Sequence, residues 1–353
     1  MSDRHDHDHA HPHSPPRDHV HPHEPVLDRR AVLRAGGLGL GAILLAACTS
    51  ARSTSPSASV TAGQSATSIA GTSTADTMTA LTTLPGFDRF ATTVHTFVQG
   101  DHWLVESNGM PAHGMMVGIT SWQQQVPVPQ PYTGANAWRF PAAPVLAETP
   151  ISARTGLFRG AIAIAVDGVP IFNALNNRGD DAYLAGELDQ WGGHSGRADD
   201  YHYHVAPLHL EEQVGAGNPI AYALDGFAIY GSTEPDDTPL AALDEYNGHL
   251  GTDGVYHYHG TTTYPYINGG LRGVVTAGDQ VEPQPTTRPF RPAGEPLQGA
   301  TITAFESPAP DTYLLQYSLP AGSGSVRYTV SDTTIDFTFT DPSGVVTKET
   351  YTR

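Results

Sequence analysis

From residue 84 onward, short apolar or alternating runs are broken every few positions by Gly, Pro, Asp or Ser. GAIAIAV (160–166), AYALDGFAIYG (221–231) and the two Tyr-His-Tyr-His segments at 201–204 and 256–259 read as strands. Near the end, TITAF, TYLLQYSL, SVRYTV and TIDFTFT largely alternate in polarity between turn residues, which predicts an antiparallel meander over 300–353. Only short stretches such as 180–190 read as helical. The expected fold is mainly β, a β-rich domain with a pseudo-two-fold internal repeat plus the meander; an α+β arrangement is the alternative.

Before residue 84 the pattern changes. Eight of the 18 histidines, His5 to His23, lie in a Pro-containing polar segment that cannot bury enough surface to fold. Arg29, Arg30 and Arg34 then precede a run of small and apolar residues leading to Cys48. That run is shorter than the roughly 20 residues a permanent membrane helix needs, and its basic flank and small-residue end have the layout of an export signal. Asp28 to Arg34 resembles a twin-arginine export motif, with Val32 where an aromatic is usual, and Leu45-Ala46-Ala47-Cys48 resembles a lipoprotein signal-peptidase box. These resemblances imply an exported chain whose mature form starts at a lipidated Cys48 and is held by that lipid on the outer face of the cell membrane. The expected organisation is a signal segment (1–47), a Ser/Thr/Ala-rich spacer (48–83), a main body (84–280), a linker with five prolines (281–299), and the meander (300–353), as a separate lobe or an annex.

Composition narrows the function classes. With 36 acidic against 18 basic residues, Lys348 being the only lysine, the net charge of −18 is the wrong sign for an electrostatic nucleic-acid binder. The balance survives removal of the signal: 13 basic and 30 acidic residues remain from Cys48 onward, a net of −17. A lipidated Cys48 leaves no thiol, so neither a disulfide framework nor a thiolate metal site is available.

Ten histidines remain after Cys48, and six fall in an internal repeat. LDQWGGHSGRADDYHYH (188–204) and LDEYNGHLGTDGVYHYH (243–259) align without a gap over 17 residues, and DGVPIFN (167–173) and DGFAIYG (225–231) match upstream. The repeats therefore span 167–204 and 225–259, most naturally as two facing halves whose equivalent side chains converge near an axis. In a strand, His202 and His204 share one face, about 6–7 Å apart, while Tyr201 and Tyr203 occupy the other; His257/His259 and Tyr256/Tyr258 repeat this. His194 and His249, each eight residues before the first motif histidine, can be brought back by the intervening Gly-rich loop. Each repeat thus offers three imidazoles, a set typical of zinc or copper sites with an open coordination position. Spacing leaves open whether the two sets hold one ion each, share a dinuclear site or serve one ion unequally.

His113, in Asn-Gly-Met-Pro-Ala-His-Gly (108–114), is a further candidate ligand. Asp189 and Asp244 could orient a ligand imidazole or cap a turn. Glu187 is a possible general base, although the second copy has Ala242 there. Asp167 and Asp225, each before Gly, read as turn residues, and the motif tyrosines as core packing.

The doubled Tyr-His-Tyr-His, the Gly-His-x-Gly lead-in, Asp-Gly-Val-Pro-Ile-Phe-Asn and Asn-Gly-Met-Pro-Ala-His resemble the YHYH-domain family of exported bacterial proteins, from about residue 105 to 275. The resemblance implies an extracytoplasmic domain with metal binding at His113, His194, His202, His204, His249, His257 and His259. Trp191 and Tyr246 stand where relatives often have Cys, so a disulfide or thiolate role is absent here. Two functions follow as expectations: a domain that binds a transition metal, copper or zinc, through histidines, or a metal-dependent enzyme, hydrolytic or copper-based. No Ser-His-Asp order, phosphate loop or HExxH pattern names a reaction.

Overall fold

The computed structural model describes residues 83–276, 281 and 284–353; the histidine-rich arm, the export signal with Cys48 and the spacer through residue 82 lie outside them. Strands account for 37% and helix for 5%, which decides for the mainly β architecture over α+β. β1 (His95–Gln99), β2 (His102–Glu106) and β3 (Trp138–Pro141) form a three-stranded antiparallel sheet. Its alternation is visible in β3, where Trp138 and Phe140 are buried and their neighbours less so. β4 (Leu146–Ser152) leads on to the main sheet.

That sheet contains β5 (Ala161–Ala165), β6 (Pro170–Phe172), β7 (Gly193–Ser195), β8 (Tyr201–Tyr203), β9 (Ala221–Ala223), β10 (Ala228–Tyr230), β11 (Gly248–Leu250) and β12 (Tyr256–His259). Their order is β11-β12-β10-β9-β5-β6-β8-β7. Every residue of β5 and β9 is buried, which is why these central strands read as continuous apolar runs rather than alternations. Hairpins β5–β6 and β9–β10 turn at Asp167-Gly168 and Asp225-Gly226, whose glycines take φ 83° and 92°. In each half the hairpin pairs in parallel with the Tyr-His-Tyr-His strand, Ile171 opposite Tyr203 and Ile229 opposite Tyr258. That strand pairs antiparallel with the Gly-His strand, His194 opposite His202 and His249 opposite His257. The halves meet through antiparallel β5 and β9, Ala163 facing Ala223 and Ala165 facing Ala221.

This order corrects one expectation. The equivalent histidines do not converge on the axis, because the halves join through β5 and β9 and carry their Tyr-His-Tyr-His strands outward. Five inter-strand steps separate β12 from β8, about 24 Å along the sheet at roughly 4.8 Å per step. A shared or dinuclear site is thereby excluded. The repeat also begins earlier than the Asp-Gly pairs, since Ile162-Ala163-Ile164-Ala165-Val166, in and just after β5, matches Ile220-Ala221-Tyr222-Ala223-Leu224, in and around β9.

β13 (Gly270–Gly273) returns to pair with β4. β14 (Thr301–Ala309), β15 (Thr312–Leu319), β16 (Gly322–Val330), β17 (Thr334–Thr340) and β18 (Val346–Thr352) form the antiparallel meander in sequential order. β18 is a fifth strand beyond the four expected. Almost all its residues are exposed, so it carries no apolar alternation to read. Ile302, Leu315, Val326, Tyr328 and Phe337 join the same apolar core as the main sheet. The Pro-containing linker is tied to the body as well: Arg291 forms a two-pronged ion pair with Asp199, at 2.8 and 2.9 Å, and lies over the Phe337 ring.

α1 (Glu211–Val214) is the only α-helix among the described residues. Residues 180–190, expected as helical, make one turn instead. Asp181 caps the N–H groups of Tyr183 and Leu184, the N–H of Ala185 reaches back to Asp181 O, and Gly186 at φ 69° ends the turn.

Candidate metal centres

The alternation of β8 and β12 sorts the motif into two faces. On one, the tyrosine hydroxyls lock the repeat together. Tyr203 donates to Asp167 at 2.9 Å and Tyr258 to Asp225 at 2.6 Å. Tyr201 donates to Asp189 at 2.8 Å, and Tyr256 to Asp244 at 3.0 and 3.1 Å. Asp189 also accepts the N–H groups of Met116, Trp191 and Gly193, and Asp244 those of Tyr246 and Gly248. Both aspartates therefore cap the turn before the Gly-His strand, and neither holds an imidazole.

The glycines of Gly-His-x-Gly have a steric reason. A Cβ at Gly193 would stand 2.6 Å from Tyr201 Cζ, and one at Gly248 2.6 Å from Tyr256 Cζ, blocking the hydroxyls from their aspartates. A Cβ at Gly196 would stand 2.9 Å from His202 Cε1, and one at Gly251 3.0 Å from His257 Cε1.

The other face carries the imidazoles. In the first repeat, His194 and His202 each bring Nε2 to 3.1 Å from His204 Nε2. The second nitrogens are engaged by backbone: His202 Nδ1 with Asp200 O at 3.0 Å, His204 Nδ1 with Asn173 O at 2.6 Å, and His194 with the backbone of Glu187. A carbonyl only accepts, so Nδ1 of His202 and His204 carries the hydrogen and Nε2 presents its lone pair. Two nitrogens about 2.0–2.1 Å from one ion at the tetrahedral angle stand about 3.3 Å apart. Facing lone pairs at that separation fit a shared cation better than each other.

The second repeat reproduces the set, with His249 Nε2 at 3.3 Å from His259 Nε2 and His259 Nδ1 held by Gly231 O at 3.0 Å. Gly231 is the counterpart of Asn173 in the matched hairpins. Here a fourth donor joins: Glu234 lies 3.2 Å from His249 Nε2, 3.3 Å from His257 Nε2 and 3.7 Å from His259 Nε2. Burial opposes its ionisation, but the Ala241 N–H, the His257 ring and the other imidazoles outweigh that and hold its carboxyl below the usual value.

Burial also disfavours protonation of the donors. It takes the His204 imidazole down to about 3 and His259 to about 4, and holds His194 well below the ordinary histidine value, with neighbouring imidazoles adding to each. These rings are neutral at pH 7, the form that binds metal.

His113 is placed with neither set. It lies on the tyrosine face, its Nε2 2.8 Å from Tyr203 Oη and its ring stacked on Trp191 at 4.8 Å. There it forms a third cluster of potential donors with Asp167 and His209. Glu187 is tied to Arg178 and accepts from Asn176 at 3.3 and 3.4 Å. Sequence reading missed Glu234 and His209. Glu234 had a signal: 58 residues separate it from Asn176, the same offset as between the two Asp-Gly turns. His209 had none, being a single histidine outside every repeated position.

Fold and site together define a duplicated, sheet-built histidine centre with one donor set at each end of the sheet. Residues 137–240 match the family model described as YHYH protein, which bears out the resemblance over that segment. The match holds the complete first donor set and stops before His249, while the internal repeat carries the likeness into the second half. No curated protein and no solved structure matches the chain.

Proposed function

We propose that this chain is an exported, lipid-anchored metalloprotein that binds one transition metal ion in each repeat. The observation that carries the reading is the convergence of Nε2 atoms at 3.1 to 3.3 Å in both copies, with His204 and His259 held by backbone carbonyls at equivalent places. His194, His202 and His204 are the donors of the first site; His249, His257, His259 and Glu234 are those of the second. All-nitrogen or nitrogen-and-oxygen sets without sulfur suit copper or zinc. Anchoring rests on the arginine pair, the short apolar run and Cys48.

A metal-dependent enzyme is the second reading, and a difference between the sites favours it for the first repeat. There the imidazoles line a cavity of about 260 Å³ together with Glu187 and Arg178; in the second repeat His249 and His257 also line a cavity, of about 540 Å³, but Glu234 already occupies the place over the three imidazoles. An ion bound there on three neutral imidazoles would act as a Lewis acid or carry electrons. Of the chain's own groups, Glu187, fixed by Arg178 and Asn176, lines the cavity and would orient what enters, while Asp200, whose Oδ2 lies 3.6 Å from His202 Nδ1, would orient that imidazole.

Elemental analysis of the untagged protein tests the reading. Two equivalents of metal are expected, falling to one in the paired alanine variant of His202 and His204 or of His257 and His259. Absence of stoichiometric metal in the native protein overturns it. For the anchor, Cys48→Ala should abolish incorporation of labelled lipid, and undiminished labelling would remove that part of the reading.

A further inference from the structure

One difference between the two repeats falls beside the imidazoles. Asn176 and Glu234 follow the two hairpins at the same place in an identical turn. The N–H of Asn176 donates to Asp180 O at 2.8 Å and that of Glu234 to Thr238 O at 3.0 Å; the N–H groups of Gly179 and Asp237 return to Asn176 O and Glu234 O, both at 2.9 Å. Bridges between Leu175 and Asp181 and between Thr233 and Pro239 close both loops alike. Glu234 turns its carboxylate onto three imidazoles, whereas the Asn176 amide is used in its own loop, accepting from the N–H of Arg178 and Asp180 and donating to Glu187. The second repeat thus shows with its own side chain what fits above such a set, and the first repeat leaves that place to the cavity.

Charge points the same way. A divalent ion on three neutral imidazoles keeps its full charge, while one that also binds Glu234 has half of it cancelled. Of the two arginines lining the first cavity, Arg178 is consumed by Asp180 and Glu187. Arg197 is exposed and makes no hydrogen bond or ion pair among the described residues. Of the carboxylates that line it, Glu187 is neutralised by Arg178, and Asp200 accepts the Ala198 N–H and faces His202 Nδ1, away from its Nε2. A cavity of about 260 Å³ lies below the roughly 300–1,000 Å³ typical of drug-sized ligand sites, so it selects a small molecule or a terminal group.

We propose that the first-repeat centre is an exchange site for a small oxyanion, a carboxylate or a phosphate, which takes the place that Glu234 fills in the second repeat and is held by Arg197. This rests on the metal reading above, and the test separates the two. The mature protein, from Cys48 onward, is loaded in detergent with cobalt(II), whose visible absorption reports its ligands, and titrated with acetate or with inorganic phosphate. Two bound cobalt ions are expected, of which one responds to anion, and the tighter of the two salts identifies the preferred oxyanion. Arg197→Gln should weaken that response about tenfold, the loss of one charge-assisted hydrogen bond. Asn176→Glu should abolish it with both ions retained. If that variant loses an ion through disturbing Glu187, the reciprocal Glu234→Asn decides, and a second responsive cobalt is expected. Two bound ions with no response to either anion, or a response that survives in His204→Ala lacking the first ion, overturn the inference and leave the metal reading standing. Failure to bind cobalt at all overturns both.

Discussion

Tyr203 donates its hydroxyl to Asp167 at 2.9 Å, joining the Tyr-His-Tyr-His strand to the turn of the hairpin beside it, and Tyr258 repeats the bond to Asp225. All four residues are buried. The alternation of tyrosine and histidine thus divides labour across one strand: hydroxyls fasten the repeat on one face while imidazoles gather on the other. Tyr203→Phe removes a donor from a buried carboxyl and should cost about 1–3 kcal/mol in urea unfolding. Metal content should stay at two equivalents, and a loss of metal without loss of stability would contradict this division.

The sites are independent because the strand order holds them at opposite ends of the sheet. His204→Ala and His259→Ala should each remove one equivalent of metal, and the double variant both. His113→Ala should leave two, since its ring contacts Tyr203 and Trp191 rather than either donor set. Elemental analysis against protein concentration reads all four. Loss of both ions in a single variant would mean a shared centre.

Stability of the metal-free protein should depend on pH in two opposing ways. Burial raises the Asp167 carboxyl from 3.8 to about 6 despite its bonds from Tyr203 and Val169, so folding favours the protonated form. That contribution is complete below pH 3.8 and is lost as pH rises through 6, about 3 kcal/mol across the window. His204 runs the other way: its contribution is complete above pH 6.5 and is lost as pH falls toward 3. In urea titrations over this range, Asp167→Asn should remove the fall in stability on raising pH, and His204→Gln part of the fall on lowering it.

Gly193 is fixed by the path of the Tyr201 hydroxyl. Gly193→Ala should cost about 1–3 kcal/mol through overpacking and release the first-repeat ion, because His194 is the next residue. Gly114→Ala is the control, since a methyl there meets nothing within 4 Å. Thermal unfolding and metal content of the two variants should separate cleanly, and equal behaviour would remove the steric account of the motif.

Arg291 fastens the linker to the main body. Its ion pair with Asp199 is largely buried, with side-chain exposures of 9% and 5%. Arg291→Ala leaves that carboxylate without its partner and should destabilise by about 3–5 kcal/mol. Arg291→Ala together with Asp199→Asn should recover much of the loss in the same measurement.

Much of this was legible in the chain. The strands could be read wherever one face is buried and the other is not, as in β15 to β17, and the donor histidines followed from an ungapped 17-residue repeat. β18 could not, because an exposed edge strand has no apolar face. Nor could the separation of the two donor sets, since local pattern specifies that β5 and β9 are strands but not that they pair with each other. Glu234 was hidden by register: the Leu-Asp segments align at one offset and the hairpins at another, the first loop being three residues longer, so only alignment on the hairpins sets it opposite Asn176.

β7 and β11 are the two margins of the eight-stranded sheet, each only three residues long. Each gives one imidazole to a set whose other two come from the strand inside it. An ion in either set would therefore rivet the outermost strand to its neighbour. Without it, the margin can fray and offer unpaired backbone groups to another chain, the usual start of edge-to-edge aggregation. On this account, metal supply would govern the colloidal stability of the protein, and its withdrawal would be seen first as aggregation.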